Sequence, residues 1–250
     1  GYDDEKVTPA LGLVWKASER LSLYGNYAES LQPGQIAPAT SGGTPILNAG
    51  EVLEPFTGEQ VEAGVKYDAG DFGATVSLFQ LTRPNAIVVN QRFAASGEQE
   101  NSGLEVSVFG EPAEGFRLIG GATFIDAELS RTEGGLNEGN APIGVPEIQA
   151  NLNAEWDVAA LPGLTLDGRI VHTGEQFVNA ANTARLEGWT RVDIGARYTL
   201  EMAERPVTLR ARLENLTNEA YWASTGGFPG ANYLILGNPR TLMVSASVDF

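Results

Sequence analysis

The feature that most constrains this chain is alternation sustained over long stretches. Near its end Leu242, Val244, Ala246, Val248 and Phe250 alternate with Met243, Ser245, Ser247 and Asp249. Val207, Leu209, Ala211 and Leu213 alternate with Thr208, Arg210, Arg212 and Glu214, and Val192, Ile194, Ala196, Tyr198 and Leu200 with Asp193, Gly195, Arg197 and Thr199. Ile148, Ala150, Leu152, Ala154, Trp156 and Val158 alternate with Gln149, Asn151, Asn153, Glu155 and Asp157. Period two is a β-strand with one apolar and one polar face. Globular strands average about 5–6 residues, whereas a tilted strand crossing a bilayer needs about 9–11. The stretches here match the longer figure. A soluble sandwich would alternate in shorter strands, with a heavier Val/Ile/Leu core.

Eleven such segments are predicted: residues 7–15, 21–30, 59–67, 73–83, 101–109, 116–129, 144–158, 164–173, 189–200, 207–215 and 241–250. The fourth has a continuation past Pro84, from Ala86 to Asn90. The connections alternate in length. Residues 16–20, 68–72, 110–115, 159–163 and 201–206 are short, while 31–58, 84–100, 130–142, 174–188 and 216–240 are long. Outer-membrane barrels are built this way, with short periplasmic turns and long extracellular loops. The fold class expected is therefore all-β, an antiparallel transmembrane β-barrel. Trp15, Tyr24, Tyr27, Tyr67, Phe109, Trp156, Trp189, Tyr198 and Phe250 sit near strand ends, as interfacial aromatic girdles do. Bacterial single-chain barrels have even strand numbers, and an open edge in lipid leaves unsatisfied backbone groups. Eleven strands are thus expected to be part of a larger barrel. With a matching half it would reach about 22 strands, the size of plugged outer-membrane transporters.

Composition closes other routes. No apolar run approaches the roughly 18 residues of a membrane helix. A net charge of -16 opposes nucleic-acid binding, which needs a basic footprint. There is no cysteine, which removes disulfides, thiolate metal sites and cysteine nucleophiles. Gly1, Tyr2, Asp3 and Asp4 open no signal peptide, so an exported protein would have its start elsewhere.

Several stretches resemble one family. Leu213-Glu-Asn-Leu-Thr-Asn-Glu-Ala-Tyr-Trp222 is similar to the Glu-Asn-Leu-Thr-Asn stretch of TonB-dependent receptors, and Gly237-Asn-Pro-Arg-Thr241 to their approach to the last strand. Leu23–Ser30, Gln60–Tyr67, Asn101–Glu105 and Gly188–Tyr198 resemble four further family segments, the last with Trp189 in place of the usual tyrosine. Arg240–Phe250 looks like the terminal strand of outer-membrane barrels, with Phe250 the aromatic read by the barrel-assembly machinery. The flavour is that of the ferric-siderophore subgroup, near ferrichrome- and hydroxamate-type receptors. The resemblance implies that residues 1–250 are the C-terminal part of a 22-stranded receptor barrel, without its plug and N-terminal barrel half. It implies location in the outer membrane of a Gram-negative bacterium, in contact with its lipid. It further implies import of a ferric siderophore, driven by TonB-ExbB-ExbD through a short TonB box in the missing N-terminal region. No cofactor is implied; iron would arrive as part of the siderophore.

In such a receptor ligand contacts come from loops, strands and plug. The long loops offer Tyr221, Trp222, Phe228 and Tyr233 in the last, Phe177, Asn179 and Asn182 after the eighth strand, and Arg92 and Phe93 after the fourth. Aromatics give a bulky chelate large rigid contact area, although they could equally pack the loops together. Arg169, Asp193, Arg197, Arg210, Arg212 and Glu214 fall on the polar strand faces. They are expected to face the lumen, pairing with one another or with the plug. His172, the single histidine, makes no zinc site by itself. Asp3, Asp4 and Glu5 are read as a solvated acidic stretch rather than a calcium site. No catalytic constellation is visible, and an enzyme is not expected. Three functions remain in view: a TonB-dependent importer of a ferric siderophore, or of cobalamin or a carbohydrate; a passive porin; and a soluble β-rich binding module, which the strand lengths oppose.

Overall fold

A computed structural model describes residues 5–202, 205–228 and 231–248. Eleven antiparallel strands form one sheet, each hydrogen-bonded to its sequence neighbours. They are β1 (Ala10–Lys16), β2 (Leu21–Gln32), β3 (Phe56–Asp68), β4 (Phe72–Val89), β5 (Arg92–Ala113), β6 (Phe116–Arg131), β7 (Ile148–Asp157), β8 (Leu164–Thr173), β9 (Trp189–Met202), β10 (Arg205–Glu214) and β11 (Thr241–Val248). The strand order in the sheet is the order in the sequence, and β1 and β11 form its two edges. The sheet is an open wall rather than a closed barrel.

Register assigns every strand a face. On one side Trp156 lies opposite Phe116 and Leu166, Leu152 opposite Gly120 and Ile170, and Leu209 opposite Tyr198 and Ala246. On the other Glu155 lies opposite Arg117 and Asp167, Arg169 opposite Asp193, and Arg212 opposite Gly195. The apolar side is the exposed one: Leu13 is 75% exposed, Leu78 65% and Val244 74%, whereas Asp193 and Asn215 are fully buried. That inverts the usual distribution of a water-soluble domain, whose exposed apolar patches stay small. It is the distribution expected when the solvent on that side is hydrocarbon.

Alternate strand connections emerge at opposite ends. Residues 17–20, 69–71, 114–115 and 158–163 make the short-turn end. Toward it, on the apolar face, stand Trp15, Tyr67, Phe72, Phe116, Trp156 and Tyr198. Three aromatics expected in girdles near strand ends belong to the other face. Tyr24 donates its hydroxyl to Glu62, Phe109 lays its ring over Gly73, and Trp189 stacks on Tyr221. Nearness to a strand end does not reveal which face a residue takes; only register does. Phe250 lies outside the described residues, as do Asp3 and Asp4.

The opposite end carries the long connections, with two departures from expectation. The continuation of the fourth strand past Pro84 is present, and because the next strand begins at Arg92 the span 84–100 is a protruding hairpin rather than a loop. β4 runs through Pro84 to Val89 and β5 begins at Arg92, joined by Asn90 and Gln91 at φ 51° and 62°. Two successive left-handed residues are what a tight two-residue hairpin turn requires. A register shift between Asn85 and Ile87 follows directly after Pro84, and the β-branched run Ile87, Val88 and Val89 then carries the strand on. Likewise, the last long connection holds a second hairpin, Trp222–Phe228 with Ala231–Leu236. The main buried apolar cluster also sits at this end. Ala37 and Ile46 of the connection 33–55 pack with Phe93, flanked by Leu53, Ala86 and Val88. The Asn48 amide fastens this contact, donating to the Phe93 carbonyl at 2.9 Å and accepting from its N–H at 2.9 Å.

Candidate functional site: the polar wall and its loop rim

Because side chains alternate, β6 to β10 bring their charges onto one continuous polar surface. Arg117 Nη1 lies 2.6 Å from Asp157 Oδ2 and its Nη2 2.9 Å from Oδ1, a bidentate pair. The same Nη2 lies 3.1 Å from Glu155, which Arg197 approaches from β9 at 3.4 Å. Thr165 donates to Asp157 at 2.7 Å. Further along, Arg212 meets Asp167 at 3.3 Å and Asp193 at 3.7 Å, and Arg191 meets Asp193 at 3.1 Å. Glu155, Asp167, Arg197, Arg210 and Arg212 line a depression of about 290 Å³. The lattice is incompletely satisfied. The Nε atoms of Arg169, Arg191 and Arg212, Nε1 of Trp189 and Oε1 of Gln176 are buried without a hydrogen-bond partner among the described residues. Arg212 Nε is 3.8 Å from Glu214, near enough for attraction and too far for a hydrogen bond. Buried polar atoms are nearly always partnered in a finished structure, so this wall has capacity for groups from outside it.

Above the wall the long connections interlock. Asn140 donates to the Ala180 carbonyl at 2.9 Å, and Asn182 exchanges two hydrogen bonds with Ala141. Gly144 donates to the Phe177 carbonyl at 3.0 Å. At φ 77° it leaves so little room that a Cβ there would fall 2.4 Å from the Thr225 carbonyl oxygen. Tyr221, almost buried, stacks on Trp189 with ring centroids 4.4 Å apart. The rim is thereby tied to β9 at the top of the polar wall.

The residues singled out in the sequence are distributed as follows. Arg169, Asp193, Arg197, Arg210, Arg212 and Glu214 all occupy the polar face by register. Trp222 and Tyr233 are exposed on the last hairpin, at 44% and 55%. Phe177 is half-buried in a two-residue pairing with Arg185. Phe93 is buried in the cluster with Ala37 and Ile46, and Arg92 at the hairpin tip approaches Glu51 at 3.9 Å. Phe228 closes its strand, and its side chain lies outside what the structure describes. The outward-facing His172 accepts or donates a 2.8 Å hydrogen bond with Thr190. Trp189 and Arg191 also belong to the polar wall, and Gln176 stands in the connection above it, although the sequence did not single them out for these places. Their signal was available, since Trp189 and Arg191 share the parity of Asp193. No group of three or more metal-ligating side chains occurs among the described residues.

With this geometry established, comparison with known proteins decides the family. The profile described as "TonB dependent receptor-like, beta-barrel" matches residues 1–216. The chain belongs to the TonB-dependent receptor β-barrel family. One relative is the ferrichrome receptor FcuA of Yersinia enterocolitica, 42% identical over 250 residues, covering 99% of this chain and 33% of the relative. The ferrichrome outer membrane transporter/phage receptor of Escherichia coli is 28% identical, over 99% of this chain and 32% of its own length. Among solved structures, BauA, the ferric preacinetobactin receptor from Acinetobacter baumannii, superposes with a TM-score of 0.85 at 43% identity, covering 97% of this chain and 36% of its own. The chain thus spans about a third of the length of these receptors. It is a wall of a receptor barrel, in a family of receptors and transporters rather than enzymes.

Proposed function

We propose that this chain is the C-terminal part of the barrel of an outer-membrane receptor importing a ferric siderophore with energy delivered by TonB-ExbB-ExbD. The observation that carries the reading is the pairing of an exposed apolar face with an incompletely satisfied polar one. The first suits outer-membrane lipid, and the second suits a barrel lumen holding a plug. Eleven strands then form half of a barrel of about 22, with the plug, the remaining strands and the TonB-contacting segment supplied by preceding sequence. Orphaned atoms such as Arg169 Nε and Gln176 Oε1 would find partners on the plug. The barrel-assembly machinery would read the last strand of this wall, Thr241–Val248.

The cargo is iron already wrapped in its chelator, so the wall needs no metal ligands and no resident cofactor. Aromatic side chains of the rim, Trp222 and Tyr233 foremost, would meet the ligand, with Tyr221, Phe228, Phe177, Arg92 and Phe93 as further contacts or their supports. The relatives favour a siderophore over cobalamin or a carbohydrate, and ferrichrome is the first ligand to test. Similarity to a ferric preacinetobactin receptor at nearly the same identity makes that chelate the second.

The test is uptake by the full-length receptor in iron-starved cells lacking their own hydroxamate receptors, with labelled ferrichrome, with and without TonB. TonB-dependent uptake is the expected result. TonB-independent uptake would indicate a passive pore. Absence of uptake for both ferrichrome and ferric preacinetobactin would overturn the siderophore assignment.

A further inference from the structure

The last long connection leaves the wall at Asn215 and returns at Thr241, and its two feet are held together at one buried side chain. Asn215 is fully buried at φ 51°, a conformation asparagine tolerates better than most residues. Its Nδ2 donates to the Glu219 carbonyl at 2.8 Å, on the outgoing foot, and to the Asn238 carbonyl at 3.0 Å, on the returning one. Its Oδ1 accepts from the Glu219 N–H at 2.9 Å. Its own N–H donates to Asp193 Oδ1 at 2.9 Å, and Asp193 is in turn held by Arg191 and Arg212. Two lesser ties lie beside it, Arg240 N–H to Asn218 Oδ1 at 3.0 Å and Gly237 N–H to the Tyr221 carbonyl at 2.9 Å. The hairpin bearing Trp222 and Tyr233 rises directly from this pinch.

We propose that Asn215 is a positioning residue: held to Asp193 of the wall through its backbone N–H, it uses its side-chain amide to fix the direction in which the 222–236 hairpin presents Trp222 and Tyr233 to the ligand. No other side chain meets all the requirements. Aspartate could accept from Glu219 but donates to neither carbonyl and would face Asp193 with like charge. Alanine and glycine bond to neither foot, and alanine is also strained at a left-handed φ. Because the ties are hydrogen bonds between main chain and one amide, their loss frees the hairpin without touching the strand ladder. For its ligand the inference rests on the siderophore reading; for its geometry it does not.

The absence of cysteine from this chain supplies a direct readout. In the full-length receptor, with any cysteines elsewhere removed, spin labels at Leu234→Cys on the hairpin and Leu161→Cys in a short turn report the hairpin's position as a distance distribution. Asn215→Ala and Asn215→Gly are each expected to broaden that distribution. Each should also raise the ferrichrome dissociation constant about tenfold, with heat-modifiable migration of the folded barrel unchanged. A distribution in Asn215→Gly as narrow as in the parent would overturn the proposal, since asparagine would then serve only to tolerate its φ. Loss of heat-modifiable folding in Asn215→Gly would overturn it too, by making Asn215 a barrel-forming residue. If the parent fails to bind ferrichrome, broadening still upholds the positioning role, and it is the ligand assignment that falls.

Discussion

Arg117 and Asp157 face each other across β6 and β7 with both guanidinium Nη atoms on both carboxylate oxygens, at 2.6 and 2.9 Å. Their side chains nonetheless remain 37% and 45% exposed. Asp193, with longer contacts to Arg191 and Arg212, is completely buried. Solvent decides which matters more. A screened pair contributes about 1 kcal/mol or less, whereas removing one partner from a buried cluster strands the others and costs about 3–5 kcal/mol. Asp157→Asn should therefore shift the urea unfolding midpoint of the detergent-solubilised receptor only slightly, and Asp193→Ala should lower it markedly. Tryptophan fluorescence would follow both. Equal shifts would contradict the assignment of Asp193 to a closed interior.

Neighbouring residues on β7 test the two faces. Leu152 lies in the apolar band opposite Gly120 and Ile170, and Asn151 on the polar side opposite Gly121 and Val171. An arginine on the lipid face near mid-bilayer costs about 2–4 kcal/mol, while one on a wet surface typically changes stability by about 0.5 kcal/mol. Leu152→Arg should reduce the heat-modifiable folded fraction, and Asn151→Arg should leave it nearly unchanged. The reverse ranking would mean that the faces are exchanged.

The tip of the β4–β5 hairpin carries a correctable strain. Gln91 sits at φ 62°, where a residue with a Cβ is disfavoured by about 1–2 kcal/mol and the Asn-Gly pair is preferred. Gln91→Gly should slow amide exchange of Ile87–Phe93 in the hairpin. Faster exchange would show that the Gln91 side chain makes a contact worth more than the strain.

Gly144 carries the approach between the 132–147 connection and the last hairpin. A methyl group 2.4 Å from the Thr225 oxygen cannot be accommodated without one of them moving. Gly144→Ala should weaken ferrichrome binding by the receptor while leaving barrel unfolding by urea unaltered. A lowered unfolding midpoint with unaltered binding would place Gly144 in the structural wall instead.

Alternation made the strand faces legible without coordinates. Leu209, Ala211 and Leu213 stand on the side their spacing assigns, and so do Arg210 and Arg212. The alternating lengths of connection likewise located the two ends of the sheet. Other features depend on pairing. The continuation of β4 past Pro84 was legible in the sequence, but the register shift between Asn85 and Ile87 was not. Tyr24, Phe109 and Trp189 lie near strand ends but on the polar side. In the candidate site, the wall charges were visible as one-sided polar positions, because parity is local. The anchoring amide of Asn215 was not, since Glu219 and Asn238, the carbonyls it joins, are brought together only by the fold.

Each strand of the wall is bonded to the strands that precede and follow it in the chain, and that order governs how the wall can be made. A nascent sheet of this kind never requires a segment to be threaded between two others already in place. Growth at an edge needs only the next hairpin, so one hairpin at a time can leave the aqueous phase and satisfy its backbone against the rim already laid down. The loop between β10 and β11 is the longest of the long connections at 26 residues (215–240), and its two ends are drawn together by Asn215. That side chain would let β11 find its neighbour across this loop as readily as strands joined by the short turns find theirs.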